Sequence, residues 1–113
     1  MDFNEYQMRA MALAQYPQLG ANILYPAMGL AGEAGEAIDK VKKIWRNQGL
    51  TSASGYSKEQ RVELAKEIGD VLWYISAMAF EMGNSLDDIA QMNLAKLEDR
   101  TARGVVKGEG DNR

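Results

Sequence analysis

The segments Gly32-Glu33-Ala34-Gly35-Glu36-Ala37 and Glu63-Leu64-Ala65-Lys66-Glu67-Ile68-Gly69-Asp70 lie in two stretches of the chain with helical periodicity. Each segment holds two acidic residues three positions apart, Glu33 with Glu36 and Glu67 with Asp70. On a helix, this spacing puts both carboxylates on one face, about one turn apart. If the two helices pack side by side, the four acids can line a single groove.

Outward from these segments, the apolar pattern and the capping residues predict an all-α fold of four helices. Asp2 with Glu5 and Ser57 with Gln60 have the spacing of capping boxes, and Ser85 is a good N-cap. Glycines and a proline separate the periodic segments, and no strand pattern is present. We predict helices near residues 2–16, 22–47, 57–83 and 85–103 that pack as a bundle, with Pro26 kinking or restarting the second helix.

The third predicted helix has an apolar stripe that alternates in steps of three and four and is expected to face the core. It consists of Leu64, Ile68, Val71, Ile75, Met78 and Met82. The acidic pair of this helix lies on a second stripe, roughly 90° away. Four glycines inside the helices cost about 1 kcal/mol each relative to alanine, so a helix or ligand is expected to approach them closely. They are Gly29, Gly32, Gly35 and Gly69.

Composition limits the classes of function. The 113 residues suffice for one domain with a modest core, for which we expect a helical unit over residues 1–104 and a flexible tail over 105–113. Because the chain has no Cys and no His, any metal must be bound by oxygen. The net charge of −3 with interspersed basic residues argues against nucleic acid as a partner. No segment suits a membrane span or a signal peptide, so a cytoplasmic protein is expected.

The four acids have two interpretations on the residues alone. Carboxylates gathered at a poorly solvated core edge repel one another, and a shared Mg²⁺, with Mn²⁺ as a possible substitute, would offset the repulsion. Alternatively, acids three apart form an ordinary solvated face with lysine partners, such as Glu36 with Lys40. Lys40 and Lys43 likewise either contact phosphates or serve only as solvated partners of nearby acids.

Three segments in order resemble the MazG-like all-α nucleoside triphosphate pyrophosphatases, relatives of the dimeric dUTPases and dCTP pyrophosphatases. Gly29-Leu30-Ala31-Gly32-Glu33-Ala34-Gly35-Glu36 and Glu67-Ile68-Gly69-Asp70-Val71-Leu72-Trp73-Tyr74 are similar to the family's E-x-x-E and E-x-x-D signature. Asn93-Leu94-Ala95-Lys96-Leu97-Glu98-Asp99-Arg100 is similar to its N-x-x-K-x-x-x-R segment. The likeness covers about residues 22 to 104, although the spacer from Glu36 to Glu67 is long.

The resemblance implies Mg²⁺-dependent hydrolysis of a nucleoside triphosphate between the α and β phosphates, giving a monophosphate and pyrophosphate in nucleotide-pool house-cleaning. Its implied metal ligands are Glu33, Glu36, Glu67 and Asp70. Of these, Glu36 is the first candidate for the general base and Glu33 the second. Its implied substrate contacts are Lys96 and Arg100 on the phosphates and Asn93 on the nucleotide.

Tyr74 lies one turn after Asp70, where it either stacks on a base or sugar or fills a subunit interface. Leu72 and Trp73 give the third helix apolar surface beyond its main stripe, which predicts a homodimer or a homotetramer. The competing hypothesis for the whole chain is a non-catalytic helical oligomerisation or nucleotide-sensing module. Turnover of a nucleotide would separate the two.

Overall fold

Four α-helices and one short 3₁₀ turn make up the computed structural model, which describes all of residues 1–113. The helices are α1 (Phe3–Ala12), α2 (Leu24–Gln48), α3 (Lys58–Glu81) and α4 (Leu86–Arg103), and the 3₁₀ turn is Ala53–Gly55. The fold is therefore all-α with four helices, as the sequence predicts. None of these helices combines the length and the hydropathy needed to cross a membrane.

The long helices α2 and α3 form the antiparallel pair around which the other elements are arranged. Gly29 lies against Tyr74 near one end of the pair, and the side chains of Gln48 and Gln60 form a hydrogen bond at the other. The Ser57 hydroxyl accepts from the Gln60 backbone N–H and the Gln60 side chain accepts from the Ser57 N–H, which confirms the predicted capping box. Pro26 lies in the first turn of α2, where its missing N–H has no helical partner to lose.

Helix α1 packs across α3 and the start of α4, with Gln7 at the junction. The Gln7 amide donates to the backbone carbonyl of Asn84 at 3.1 Å and accepts from the Leu86 backbone N–H at 3.1 Å. The Asp2 carboxylate caps α1 by accepting from the Glu5 N–H at 2.8 Å. These contacts fix the turn between α3 and α4 on the side of the molecule that α1 covers.

The first helix ends at Ala12 and not near residue 16, so it is shorter than predicted. Proline at 17 disfavours helical geometry at the residue before it, and Tyr16 turns inward instead. Its ring stacks on Tyr25 at a centroid distance of 5.0 Å, and its hydroxyl donates to Glu81 at 2.7 Å. The other three predicted helices agree with the structure to within two residues at each end.

The predicted core stripe of α3 is only partly covered in the single chain. Ile68 and Met82 are 55% and 60% exposed, whereas the residues between them are half-buried. The reason is that α3 turns the stripe containing Glu67 and Tyr74 toward α2, as the Lys40–Glu67 and Gly29–Tyr74 contacts show. The acids therefore lie between the two helices, and apolar surface remains open beside them.

The segment after α4 folds back along that helix through a few polar contacts. The Asp111 carboxylate lies 3.2 Å from both Lys96 Nζ and Arg100 Nη2, and the Arg113 guanidinium donates to the Val105 carbonyl at 3.0 Å. Gly104 ends α4 in the left-handed conformation, as its position after the apolar pattern predicts. The flexibility of residues 105–113 and the single-domain boundary at 104 stay predictions.

Candidate metal centre

Three of the predicted carboxylates meet between α2 and α3. Glu33 comes from α2, and Glu67 and Asp70 come from successive turns of α3; one oxygen of each lies within 4.8 Å of the others. The spacing of three along α3 places Glu67 and Asp70 on the face turned toward α2. Two helices that pack antiparallel thus join acids that are more than thirty residues apart in the chain.

Two oxygens of this cluster are buried and lack any hydrogen-bond partner, Oε2 of Glu33 and Oε2 of Glu67. An unpaired carboxylate oxygen out of water carries a high free-energy cost, which a bound cation removes. The donor set is entirely oxygen, as Mg²⁺ and Mn²⁺ prefer. The residues present therefore fit a hard divalent cation.

The electrostatics of the cluster are visible at Glu33. Removal from water raises the pKa of the Glu33 carboxyl above its ordinary value of 4.5, and the charges of Glu36, Asp70 and Glu67 raise it further. Glu36 therefore lies close enough to Glu33 to act on it, although it is exposed and does not belong to the group of three. Negative charge accumulates here beyond what the chain itself neutralises.

Beside the acids lies an open groove of about 420 Å³ along α2. No hydrophobic side chain lines it; the lining residues are Gly32, Gly35, Glu36, Asp39, Lys40, Lys43 and Glu67. Hydrogen bonds from Lys43 and Lys42 lower the pKa of Asp39 to about 2, so this carboxylate is ionised at neutral pH. A groove of this composition suits a charged, hydrated ligand better than an apolar one.

Lys40 is the groove residue whose role the sequence left open. Its Nζ lies 3.7 Å from Glu67 Oε1, in the one ion pair that joins α2 to α3. The signal for its position is its spacing, because it follows Glu33 by seven residues and Glu36 by four, and so lies on the same helix face.

The predicted phosphate-binding cations lie elsewhere in the single chain. Lys96 and Arg100 on α4 pair with Asp111 and form no ion pair with Glu33, Glu36, Glu67 or Asp70. Arg100 is nearly enclosed, with 5% of its side chain exposed, and its Nε has no hydrogen-bond partner. Asn93, on the same helix, is exposed.

Tyr74 borders the acids but is held by protein contacts. Its ring fills the space that Gly29 leaves open on α2 and stands edge-on to Trp73 at a centroid distance of 5.2 Å. Burial raises the pKa of the Tyr74 hydroxyl above its ordinary value of 10.0, with smaller effects from Tyr25 and Glu33. This packing accounts for a tyrosine here, and its contact with a substrate stays a prediction.

Comparisons with known proteins identify the family that the chain resembles. The family model described as the MazG nucleotide pyrophosphohydrolase domain matches residues 25–105, a range that contains the four acids, Lys40 and all of α4. Gene 37 protein of Mycobacterium phage L5 is 41% identical over 118 residues, an alignment that spans 100% of both chains. No solved structure matches the chain.

Proposed function

The chain belongs to the MazG nucleotide pyrophosphohydrolase family, and we propose that it hydrolyses a nucleoside triphosphate between the α and β phosphates in a Mg²⁺-dependent reaction. Water is the second reactant, and the products are a nucleoside monophosphate and pyrophosphate. Removal of unwanted nucleotides from the cellular pool is the role we assign to this activity, and the cytoplasm is its expected location.

The observation that carries this proposal is the pair of buried, unpartnered oxygens on Glu33 and Glu67 beside Asp70. We assign the divalent cation to these three residues together with Glu36. When bound, Mg²⁺ or Mn²⁺ polarises the phosphoryl group and neutralises charge that develops during cleavage. The protein supplies the carboxylates, and the packing of α2 on α3 holds them together.

Glu36 is the proposed acceptor of the water proton. It is exposed on the groove, whereas Glu33 is withdrawn among the other acids. Glu33 is the second candidate, because it lies one turn before Glu36 on the same face of α2. Neither role requires a histidine, which the chain lacks.

We propose that Asn93, Lys96 and Arg100 reach the nucleotide from a second copy of the chain, in a homodimer or homotetramer. Within one chain, Lys96 and Arg100 pair only with Asp111, and the apolar surface beside the acids is open. A guanidinium can hold a phosphate through two parallel hydrogen bonds, and in this proposal Arg100 exchanges its contact with Asp111 for the triphosphate. Tyr74 is the proposed contact for the base or sugar.

The test is release of pyrophosphate from a panel of ribo- and deoxyribonucleoside triphosphates, with Mg²⁺ and with EDTA. We expect turnover of at least one nucleotide that EDTA abolishes. Glu36→Gln should lower kcat by about 10²–10⁴-fold, as loss of a general base does. Absence of turnover for every nucleotide with Mg²⁺ present would contradict the proposal and favour a sensing module.

Glu63→Gln is the matched control for the acids of α3. Glu63 lies one turn before Glu67 but is 48% exposed and pairs only with Lys66 at 3.1 Å. We expect Glu67→Gln to reduce kcat/KM by at least about 100-fold and Glu63→Gln to leave it within about twofold. Equal losses in both variants would show that general charge, and not the cluster, supports turnover.

A further inference from the structure

Lys40 and the proposed cation compete for the same carboxylate. The Lys40 ammonium lies 3.7 Å from Glu67 Oε1, while the other oxygen of Glu67 is buried without a partner. Glu67 is 17% exposed and Lys40 is 37% exposed, so the lysine is the more accessible member of the pair. A divalent cation on Glu67 places positive charge beside the ammonium and weakens the ion pair.

The surroundings of Lys40 show where the displaced ammonium can go. Its side chain lines the groove together with Lys43, and the bare backbone of Gly32 and Gly35 forms part of the wall. Apart from the neighbouring residues and the backbone of α2 itself, no atom lies within 4 Å of the position that a Cβ would take at either glycine, so the groove is open at these turns. A four-carbon stem lets the ammonium swing into this space without any movement of the backbone.

We infer that Lys40 is a substrate-contacting residue, which pairs with Glu67 in the metal-free protein and transfers to the phosphates of the nucleotide once the carboxylate holds a cation. The inference rests on the proposed function and names the residue that accepts the polyphosphate on the α2 side of the groove. The charge order along the groove agrees with it. The acids that attract the cation are Glu67 and Asp70 on α3 with Glu33 on α2, and Lys40 and Lys43, which attract phosphate, lie further along α2.

If Lys40 exchanges partners in this way, removing its charge should change two affinities in opposite directions, the affinity for a divalent cation and the affinity for triphosphate. In Lys40→Met, Mn²⁺ alone should bind roughly three- to tenfold more tightly, because a competing cation is gone. Inorganic triphosphate, titrated with saturating Mg²⁺, should bind about tenfold more weakly, because a phosphate contact is lost. Isothermal titration calorimetry measures both, and neither readout depends on turnover.

Lys42→Met is the matched control, since it removes the same charge from the same helix. Lys42 pairs only with Asp39, at 3.0 Å, and does not line the groove. We expect both affinities of this variant to stay within about twofold of wild type. Lys40→Arg keeps the positive charge and should retain most of the affinity for triphosphate.

Three results would overturn the inference: no change in either affinity for Lys40→Met, a loss of both, or equal effects in Lys42→Met. A loss of both would mean that Lys40 only supports the cluster structurally. These outcomes are separate from failure of the proposed function, which is the absence of nucleotide turnover in the wild-type protein. A protein that turns over nucleotides normally but lacks the opposite-sign effects retains its function and rejects the exchange.

Discussion

Gly29 leaves the space on α2 that the ring of Tyr74 occupies. A Cβ at this position would overlap ring carbons of Tyr74. We predict that Gly29→Ala lowers the free energy of unfolding by about 1–3 kcal/mol, because the ring or the helices must shift to relieve the overlap. Denaturant unfolding followed by circular dichroism measures the change.

Gly32→Ala is the internal control, three residues further along the same helix. Nothing lies within 4 Å of its added Cβ. In this variant the higher helix propensity of alanine should raise stability by up to about 1 kcal/mol. If both substitutions are stabilising, the contact between Gly29 and Tyr74 does not limit the packing of α2 on α3.

Ser76 is a fully buried residue of α3 whose hydroxyl has no hydrogen-bond partner. We predict that Ser76→Ala raises the free energy of unfolding by about 0.5–2 kcal/mol, since it removes an unsatisfied polar group and improves helix propensity. Ser85→Ala provides the contrast, because Ser85 Oγ accepts from the Asp88 N–H at 3.1 Å as the cap of α4. The Ser85→Ala substitution should lower the free energy of unfolding by about 1 kcal/mol. A destabilised Ser76→Ala variant would show that the hydroxyl is satisfied in solution.

The sequence predicted which acids share a helix face, because helical spacing alone decides which side chains do so. The sequence could not show which of the four helical glycines is closely packed. In the structure, only Gly29 has a neighbouring side chain where a Cβ would lie. The difference depends on which residue of α3 lies opposite, and that is a property of the packed pair. Lys40 was ambiguous for the same reason, since its partner Glu67 lies on another helix.

At the scale of elements, Glu81 anchors the loop between α1 and α2 to the end of α3. Its carboxylate accepts from the Tyr16 hydroxyl at 2.7 Å and from the backbone N–H groups of Gly20 and Asn22 at 2.8 and 3.3 Å. Partial burial alone would raise the pKa of Glu81, but these donors outweigh it and hold the pKa below its ordinary value of 4.5. The folded state therefore favours the ionised carboxylate.

We predict that Glu81→Gln lowers the Tm at neutral pH by several degrees, because charged acceptors form the stronger hydrogen bonds. A carboxylate whose pKa is lowered by folding stabilises the protein above pH 4.5 and loses this contribution as the pH falls through its folded value. The gap in Tm between wild type and variant should thus narrow below pH 4.5. Thermal melts from neutral pH to below pH 4.5 measure this difference in Tm, with Glu98→Gln on α4 as the control. A gap that is constant with pH would contradict the anchoring role.

Helix boundaries were predictable where local capping determines them and not where distant contacts do. The starts of α3 and α4 follow from Ser57, Gln60 and Ser85, whose side chains bond within a few residues. The end of α1 depends on Tyr16, which bonds to Glu81 on α3. No pattern within the first twenty residues encodes that partner.

As a whole molecule, the single chain is more extended than a compact monomeric protein of the same length. Its radius of gyration is 16.9 Å, against about 13 Å for a compact domain of this length. Its accessible surface is 7991 Å², whereas a folded monomer of this mass exposes roughly 6,200 Å². The excess is larger than the roughly 800 Å² that each partner buries in a standard interface.

The same openness explains why the sequence predicted more core than one chain contains. Only eight residues are buried, although the sequence predicts that the apolar stripe of α3 faces the core. A helical period shows that a face avoids water, but it does not say whether the covering element belongs to the same chain. The separation of Lys96 and Arg100 from the acids has the same origin if a second copy supplies them.

Assembly should therefore depend on the exposed apolar stripe of α2, which contains Ile38, Val41 and Trp45. Ile38 is 67% exposed and Trp45 57% exposed in the single chain, so a polar substitution there does not disturb the fold of one chain. We predict that Ile38→Glu converts a wild-type dimer or tetramer into the 12.5 kDa single chain, because burying an unpaired carboxylate in an interface is costly.

Analytical ultracentrifugation measures the mass, and Ile38→Val, which keeps the surface apolar, should remain assembled. Circular dichroism should show that the helices persist in both variants. A wild-type protein that sediments as a single chain would contradict the oligomer, and the phosphate-binding residues would then have to come from elsewhere in the same molecule.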